Sequence, residues 1–316
     1  MPFNWDPELA VLLEQVAAAR ADLPPAPPRG DAVGLREATN PLMAAMAEMV
    51  PPNPDVTRTS HATMSHDGAE IALHWFAKKG SSPGSGVCYI HGGGMVCGSV
   101  DLYVAIIENY VATTGVPMLA VSYRLAPEHP HPTPVEDAYA GLKYLFDNAS
   151  ELGVDPTRIA VMGDSAGGGI SAGVALLARD RGLRLKRQIL IYPMLDDRNL
   201  EPDPELVPFA GWTYDQNFTG WNALLGDRLG SDEVPESAAP ARAKDLSGIA
   251  PAYVECGELD IFRDEDIEYA RRIACAGSSI ELHIHPGSPH GFERLGAGSD
   301  VANRAMDDRY RVLRAL

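Results

Sequence analysis

A serine lies between two glycines at the point where a short apolar run gives way to a helix-forming segment. Residues 163–168 read Gly-Asp-Ser-Ala-Gly-Gly. Residues 158–162, apolar after Arg158, predict a buried strand before them, and residues 169–181, rich in Ala, Leu and Val, predict a helix. A serine on a tight strand-to-helix turn, with glycines that let the two elements approach closely, predicts a nucleophile elbow with Ser165 as nucleophile.

A second glycine-rich segment follows another predicted strand. Residues 87–90 are apolar, and residues 91–94 read His-Gly-Gly-Gly. Consecutive glycines allow backbone N–H groups to converge on one point, as an oxyanion hole for acyl transfer requires. The predicted donors are the N–H groups of Gly93, Gly94 and Ala166. The same run resembles a nucleotide-binding loop, but its spacing and the lack of a matching acidic residue disfavour a Rossmann oxidoreductase.

The late part of the chain supplies an acid and a histidine in a diagnostic order. Residues 251–257 predict a late strand, and Asp260 stands just past its end. Residues 280–285 alternate polar and apolar side chains and predict the last strand, with His290 shortly after it. The order Ser165, Asp260, His290 is that of α/β-hydrolases and differs from the two common serine-protease orders.

Three further carboxylates are alternatives to Asp260 as the acid. Asp264, Glu265 and Asp266 fall on the predicted helix that follows the loop. Asp260 is the stronger candidate because ligand sites of such sheets lie at the carboxyl ends of their strands. Residues Asp264 and Glu265 are expected to stabilise the start of that helix.

These motifs together resemble the hormone-sensitive-lipase family of carboxylesterases, the bacterial family IV esterases. The resemblance spans nearly the whole chain and rests on 91–94, 123–130 (Tyr-Arg-Leu-Ala-Pro-Glu-His-Pro), 163–168, 260 with 263–265, 290–292, and 6–9 (Asp-Pro-Glu-Leu). It implies an α/β-hydrolase fold: a mostly parallel central sheet, helices on both faces and a helical cap. It also implies a serine carboxylesterase that hydrolyses short- to medium-chain esters through an acyl-enzyme, without cofactor or metal.

One departure from the family concerns the residues after the glycines. Residues 95–97 read Met-Val-Cys, where the family often has an aromatic residue, so the size and shape of the acyl pocket are open. The predicted substrate pocket comprises Met95, Cys97, Tyr192, Trp212, Phe218 and Phe292.

The chain organisation predicts a cap made of two separate pieces. Helix candidates at 7–21 and 41–49 lie in an N-terminal segment, 1–52, which precedes the catalytic domain, 53–316. An insert at about 196–230 is rich in Pro, acids and aromatic residues and interrupts the alternation of strands and helices. Aromatic density outside the sheet pattern predicts a lid over a pocket, since pockets are typically lined by apolar groups; two ordinary surface helices are the alternative.

Composition narrows the partners and the compartment. The formal net charge of −17 disfavours nucleic acid and anionic membrane surfaces, and suits a small-molecule ester. The first 20 residues contain acids and no basic start, so no signal peptide is expected and the cytoplasm is the expected location. The four cysteines and the His283-x-His285 pair show no metal or disulfide pattern. A homodimer is compatible with the sequence.

Other functions remain open at this stage. An amidase, lactonase or deacetylase would use the same three residues on a related carbonyl. A non-catalytic ligand-binding receptor of the same fold is disfavoured, because the chain keeps the serine, the acid and the histidine.

Overall fold

The computed structural model describes residues 3–20 and 25–316, with the side chains of residues 16–20 left aside. Eight strands form one sheet: β1 (Val56–Met64), β2 (Glu70–Lys78), β3 (Gly86–Ile90), β4 (Met118–Val121), β5 (Ile159–Asp164), β6 (Arg187–Ile191), β7 (Ala252–Gly257) and β8 (Ile280–His285). The described α-helices are α1 (Pro7–Arg20), α2 (Ala32–Glu48), α3 (Val100–Thr114), α4 (Thr133–Asp147), α5 (Ala166–Asp180), α6 (Tyr214–Leu225), α7 (Arg263–Cys275), α8 (Phe292–Leu295) and α9 (Asp300–Arg314).

The sheet is mostly parallel, as predicted. Its strand order is β1-β2-β4-β3-β5-β6-β7-β8, and only β1 with β2 and β2 with β4 pair antiparallel. Every residue of β3, β5 and β7 is buried. Because successive side chains point to opposite faces of a strand, both faces of the central sheet are covered. The carboxyl ends of β5, β7 and β8 therefore bring their loops to one edge of the sheet.

Two helix boundaries differ from the predictions. Helix α2 begins at Ala32, not at Pro41, because Asp31 caps it and accepts a hydrogen bond from the Gly34 N–H at 2.8 Å. Pro41 lies inside the helix, which continues past the missing N–H donor. Helix α5 begins at Ala166, although its first turn contains glycines that are poor helix formers.

The two pieces predicted as a cap contact each other. Trp5, before α1, packs edge-on against Phe209 of the insert, with ring centroids 4.9 Å apart. The Gly30 N–H donates to the Thr219 hydroxyl of α6 at 2.9 Å. The predicted end of α1 at residue 21 lies outside the described residues. Across the two described ranges, no helix has the length and apolar character needed to cross a bilayer.

Candidate active site

The backbone at Ser165 adopts a conformation that serine rarely tolerates. Its φ of 56° and ψ of −124° place it between the end of β5 and the first residue of α5. Such a conformation costs on the order of 1–3 kcal/mol and persists only where its surroundings enforce it. Here the Ser165 N–H donates to the Ile191 carbonyl at 2.8 Å, and its carbonyl accepts from the Met194 N–H at 3.0 Å. The strained turn is therefore anchored on the neighbouring strand β6.

Glycines on either side of the serine permit a very close approach. A Cβ atom on Gly163 would lie 2.3 Å from the Gly167 carbonyl oxygen, and one on Gly167 would lie 2.2 Å from that of Ile90. No side chain fits at such distances, so these two positions require glycine. The predicted strand-turn-helix arrangement of the elbow is thus present and packed against the end of β3.

Ser165, His290 and Asp260 form one hydrogen-bonded line. His290 Nε2 lies 3.0 Å from Ser165 Oγ, and His290 Nδ1 lies 2.6 Å from Asp260 Oδ2. Asp260 is fully buried, and its other oxygen accepts from the Phe262 N–H at 3.0 Å. The rings of Tyr192 and Phe262 flank the imidazole edge-on at 4.6 and 5.2 Å. With Nδ1 protonated, Nε2 is free to accept the serine proton.

The three alternative carboxylates lie elsewhere, and among the described residues none is hydrogen-bonded to His290. Asp264 is exposed and paired with the neighbouring arginine at 2.7 Å. Glu265 accepts from the Leu195 N–H at 2.6 Å and so holds the loop after β6. Burial raises the pKa of Glu265 and of Asp266 well above the ordinary range.

The loop after β3 presents backbone donors toward the same edge of the sheet. Gly93 and Gly94 have φ values of 121° and 61°, and the Gly93 carbonyl accepts from the N–H groups of Val96 and Cys97 at 3.1 and 2.8 Å. Within the described chain, the N–H groups of Gly93 and Gly94 have no hydrogen-bond acceptor. Ala166 is the first residue of α5, where an N–H has no intrahelical partner. These donors are available to a ligand.

His91 fixes the start of this loop. Its ring stacks on Tyr123 at 4.4 Å between centroids, and the Tyr123 hydroxyl donates to the His91 carbonyl at 2.9 Å. Burial lowers the pKa of His91 to about 4, so the ring is neutral at physiological pH. His91 therefore acts as a packed support of the loop.

Two of the predicted pocket residues, Trp212 and Tyr192, contact the site, and a third, Phe218, lies on the nearby insert. The Trp212 indole packs directly on Gly94: a Cβ atom added to this glycine would lie 2.6 Å from the nearest ring atom. Tyr192 contacts the His290 ring, and its hydroxyl donates to Glu293 at 2.6 Å. Phe218 is half-buried on α6, next to the N-terminal segment.

The other three predicted pocket residues are fully buried. Met95 and Cys97 belong to the glycine loop, and Met95 has a positive φ of 65°. Burial raises the pKa of the Cys97 thiol to about 11. Phe292 packs in a separate small cluster with Leu9 and Val301.

Sequence reasoning missed the polar side chains behind the elbow. Tyr89, Tyr103 and Arg294 all donate hydrogen bonds to Asp164, the residue before the serine. Neither tyrosine belongs to a catalytic motif. The only signal for Arg294 is its position four residues after His290.

A cluster of titratable groups at the far strand is an ion-pair network. Ligand atoms of Glu281, His283 and Asp308 lie within 4.8 Å of one another. Arg311 donates to Glu281 and, at 2.8 Å, to Asp308. The guanidinium already compensates these carboxylates, and we assign no metal to them.

Comparison with known proteins shows the family of the chain. Residues 87–294 match the family described as the alpha/beta hydrolase fold. The carboxylesterase NlhH of Mycobacterium tuberculosis is 37% identical over 237 residues, covering 72% of this chain and 74% of that protein. The ethyl acetate hydrolase of Pseudomonas putida is 30% identical and covers 96% of both chains.

A solved structure extends the likeness to the whole fold. The bacterial heroin esterase superimposes with a TM-score of 0.89 at 36% identity, covering 99% of this chain and 98% of that one. The family match covers more than half of the chain, and the two relatives named above are a carboxylesterase and an ethyl acetate hydrolase. The chain therefore belongs to the α/β-hydrolase family, among the hormone-sensitive-lipase-like carboxylic ester hydrolases.

Proposed function

We propose that this protein is a serine carboxylesterase that works through an acyl-enzyme, with Ser165 as nucleophile, His290 as general base and Asp260 as the orienting acid. The observation that carries the proposal is the hydrogen-bonded line from Ser165 Oγ through His290 to the buried Asp260. A serine alone is a weak nucleophile, and this arrangement is the one that activates it.

In the acylation step, Ser165 Oγ forms a bond to the ester carbonyl carbon as its proton passes to His290 Nε2. The carbonyl π electrons move to the oxygen, and the N–H groups of Gly93, Gly94 and Ala166 stabilise the oxyanion. The Asp260 carboxylate stabilises the imidazolium, because it accepts the hydrogen bond from Nδ1. The oxyanion then collapses, and the alkoxide leaves with the proton from Nε2 as a neutral alcohol.

Deacylation repeats the chemistry with water. His290 takes a proton from the water, whose oxygen attacks the acyl carbon, and the same backbone donors hold the second oxyanion. Ser165 leaves with the proton, and the carboxylic acid is released. The cycle consumes one ester and one water and needs no cofactor.

Residues 1–52 and the insert at about 196–230 are proposed to form a cap over this site. Trp212 and Gly220 of the insert both approach Gly94, where a Cβ atom of Gly220 would lie 2.5 Å from the Gly94 carbonyl oxygen. The Arg29 guanidinium stacks on the Phe218 ring at 4.0 Å and so joins the N-terminal piece to α6. A cap that packs directly on the glycine loop limits the depth of the acyl pocket.

The limited depth supports short- to medium-chain esters, with acyl groups of about two to eight carbons. Each methylene gains about 0.8 kcal/mol only while apolar surface receives it. One relative is named an ethyl acetate hydrolase, and an ethyl acetate substrate carries a two-carbon acyl group. The proposed pocket is lined by Trp212 and Phe218 from the insert and by Tyr192 at the histidine.

The charge of the chain bears on the substrates and partners proposed for the enzyme. A net charge of −17 supports an enzyme that acts on neutral small-molecule esters and does not engage nucleic acid or anionic membranes. The proposed location is the cytoplasm. The sequence is compatible with a homodimer.

The test is hydrolysis of p-nitrophenyl butyrate by Ser165→Ala, with Ser171→Ala as the matched control. Ser171 is a fully buried serine on α5, so its loss reports general effects on this helix. We expect Ser165→Ala to lower kcat by about 10⁴-fold or more and Ser171→Ala to retain activity.

Covalent labelling separates this function from a binding protein of the same fold. An organophosphate should modify the wild-type protein at Ser165 and leave Ser165→Ala unmodified, as mass spectrometry would show. Near-wild-type turnover by Ser165→Ala, or labelling at another residue, would exclude the proposed mechanism.

A further inference from the structure

A single buried carboxylate lies behind the elbow and accepts three charged or hydroxyl donors. This carboxylate belongs to Asp164, which precedes Ser165 and is 4% exposed. Its Oδ1 accepts from the Tyr89 hydroxyl at 2.8 Å. Its Oδ2 accepts from the Tyr103 hydroxyl at 2.9 Å and from Arg294 Nη2 at 2.8 Å. Such a carboxylate is expensive to bury unless it is fully paired, so this set of partners is a defined arrangement.

The three donors come from elements that flank different parts of the site. Tyr89 lies on β3, just before the glycine loop, and Tyr103 lies on α3, just after it. Arg294 lies on α8, four residues beyond His290. The Asp164 carboxylate therefore connects the segments that carry the oxyanion donors, the serine and the histidine.

The Tyr103 hydroxyl has no spare hydrogen-bonding capacity. It donates to Asp164 and accepts from the Gly92 N–H at 3.1 Å and from Arg294 Nη1 at 3.0 Å. A hydroxyl has one proton to donate and two lone pairs to accept with, and all are used. Burial raises the pKa of Tyr103 well above its ordinary value, so the proton stays on the oxygen. The position of the Gly92 amide thus depends on this hydroxyl.

Glycine at position 92 allows the loop to sit directly on this cluster. A Cβ atom on Gly92 would lie 2.6 Å from Asp164 Oδ2 and 2.9 Å from the Tyr103 hydroxyl. The loop therefore touches the polar cluster with no side chain between them. Hydrogen bonds through the Tyr103 hydroxyl therefore link the glycine loop to the residue before Ser165.

We propose that Tyr103 and Arg294 are positioning residues that hold the oxyanion donors of the glycine loop at the correct distance from Ser165, acting through Asp164 and Gly92. The inference rests on the proposed function of Ser165. Neither residue needs to touch the substrate. Their contribution is made in the transition state, because only there does the carbonyl oxygen carry the charge that the loop donors stabilise.

The first experiment compares Tyr103→Phe with Tyr110→Phe. Tyr110 lies on the same helix, is equally buried, and its hydroxyl accepts from Arg309 at 3.0 Å, away from the glycine loop. Each variant removes one buried hydroxyl. We expect Tyr103→Phe to lower kcat for p-nitrophenyl butyrate by about 10- to 100-fold with KM nearly unchanged, since small displacements of catalytic groups have effects of this size. Tyr110→Phe should leave kcat within about twofold.

A transition-state analogue supplies a readout that fold stability alone would not move. An alkyl trifluoromethyl ketone adds to the serine and forms an oxyanion adduct in the same loop. Its Ki should rise in Tyr103→Phe by the factor by which kcat/KM falls, and should stay unchanged in Tyr110→Phe. Urea midpoints of both variants would show whether they lose similar stability.

Arg294 is tested by graded replacement. Arg294→Met should lower kcat as Tyr103→Phe does. Arg294→Lys should lower it less, because lysine keeps the positive charge but lacks the planar guanidinium that donates to two partners. The double variant Tyr103→Phe/Arg294→Met should lose much less than the product of the single losses, because both act through one carboxylate.

The outcomes distinguish the two proposals. If an organophosphate does not label wild-type Ser165, the proposed function itself fails. If Ser165 is labelled, but Tyr103→Phe matches Tyr110→Phe in kcat and in Ki, the positioning role is overturned. A rise in KM with kcat unchanged would also contradict it. So would a double variant whose loss in kcat equals the product of the two single losses.

Discussion

The parts of the molecule below and above Ser165 are held in different ways. Below it, buried hydrogen bonds to Asp164 and a backbone approach so close that an added Cβ atom on Gly167 would lie 2.2 Å from the Ile90 carbonyl oxygen fix the backbone. Above it, the insert and the N-terminal segment are joined by ring contacts and a few bonds, and Met49 and Val207 remain 82% and 50% exposed. The closely packed backbone around Asp164 and the glycines holds the reacting groups in place. The insert and the N-terminal segment are packed less tightly, and we expect them to determine which substrates are preferred. Substitutions below should therefore alter rate, and substitutions above should alter preference.

The largest loss of activity is expected from replacing Asp260, the carboxylate that is hydrogen-bonded to His290. Asp260→Asn should lower kcat by about 10⁴-fold with substrate binding retained, because the amide favours the wrong tautomer of His290. Asp264→Asn is the matched control, since this carboxylate is exposed and paired with its neighbouring arginine. Steady-state kinetics with p-nitrophenyl butyrate measure both variants. A large loss in Asp264→Asn and a small one in Asp260→Asn would reverse the assignment of the acid.

A methyl group at the contact between the two regions should have the next largest effect. Gly94→Ala would place a Cβ atom 2.6 Å from the Trp212 ring at a φ of 61°, so the loop must shift. We expect kcat to fall by about 10²-fold.

Gly153→Ala is the control for backbone strain in that experiment. Gly153 has a φ of 68° with no atom within 4 Å of the added carbon, so it carries the strain without the clash. Its kcat should match the wild type. Equal kcat losses in the two variants would show that the crowding at Trp212 has no part in catalysis.

Removing the ring above the site should shift preference more than rate. Trp212→Ala would deepen the proposed acyl pocket, and each methylene newly received gains about 0.8 kcal/mol, or about fourfold in kcat/KM. The octanoate-to-butyrate ratio of kcat/KM should rise by about tenfold or more across a p-nitrophenyl ester series. Val207→Ala, at a half-exposed position of the same insert, should leave the ratio unchanged. A wild-type maximum at palmitate would contradict the proposed cap.

The smallest effect concerns stability in acid. Burial lowers the pKa of His91 and of His131 to about 4, from an ordinary value of 6.5. Between these values the unfolded chain binds protons that the folded chain does not, so the free energy of unfolding falls as pH drops from 6.5 toward 4. The urea midpoint of the wild-type protein should decrease over this pH window, and that of His131→Gln should decrease less. An equal decrease in both proteins would show that His131 does not contribute.

Local patterns predicted much of the fold and of the candidate site. The strands around Ser165 are continuous apolar runs because they are buried on both faces, and that periodicity is legible in one sequence. The start of α2 was predicted wrongly because Pro41 resembles a first helical residue, whereas the cap at Asp31 begins the helix a few turns earlier. The three donors to Asp164 were not predicted, because Tyr89 and Tyr103 belong to no catalytic motif and Arg294 is remote from both along the chain.

The sequence by itself determined the chemistry: the residue types, their order along the chain and the glycines without which the turns cannot form. These are local requirements of backbone sterics and of acid–base function, so they are written in neighbouring residues. Tertiary structure alone decided that Trp212 covers Gly94 and that one hydroxyl on α3 joins the glycine loop to the elbow. Such contacts depend on the distance and direction between elements remote in sequence, which packing of the whole sheet and its helices sets.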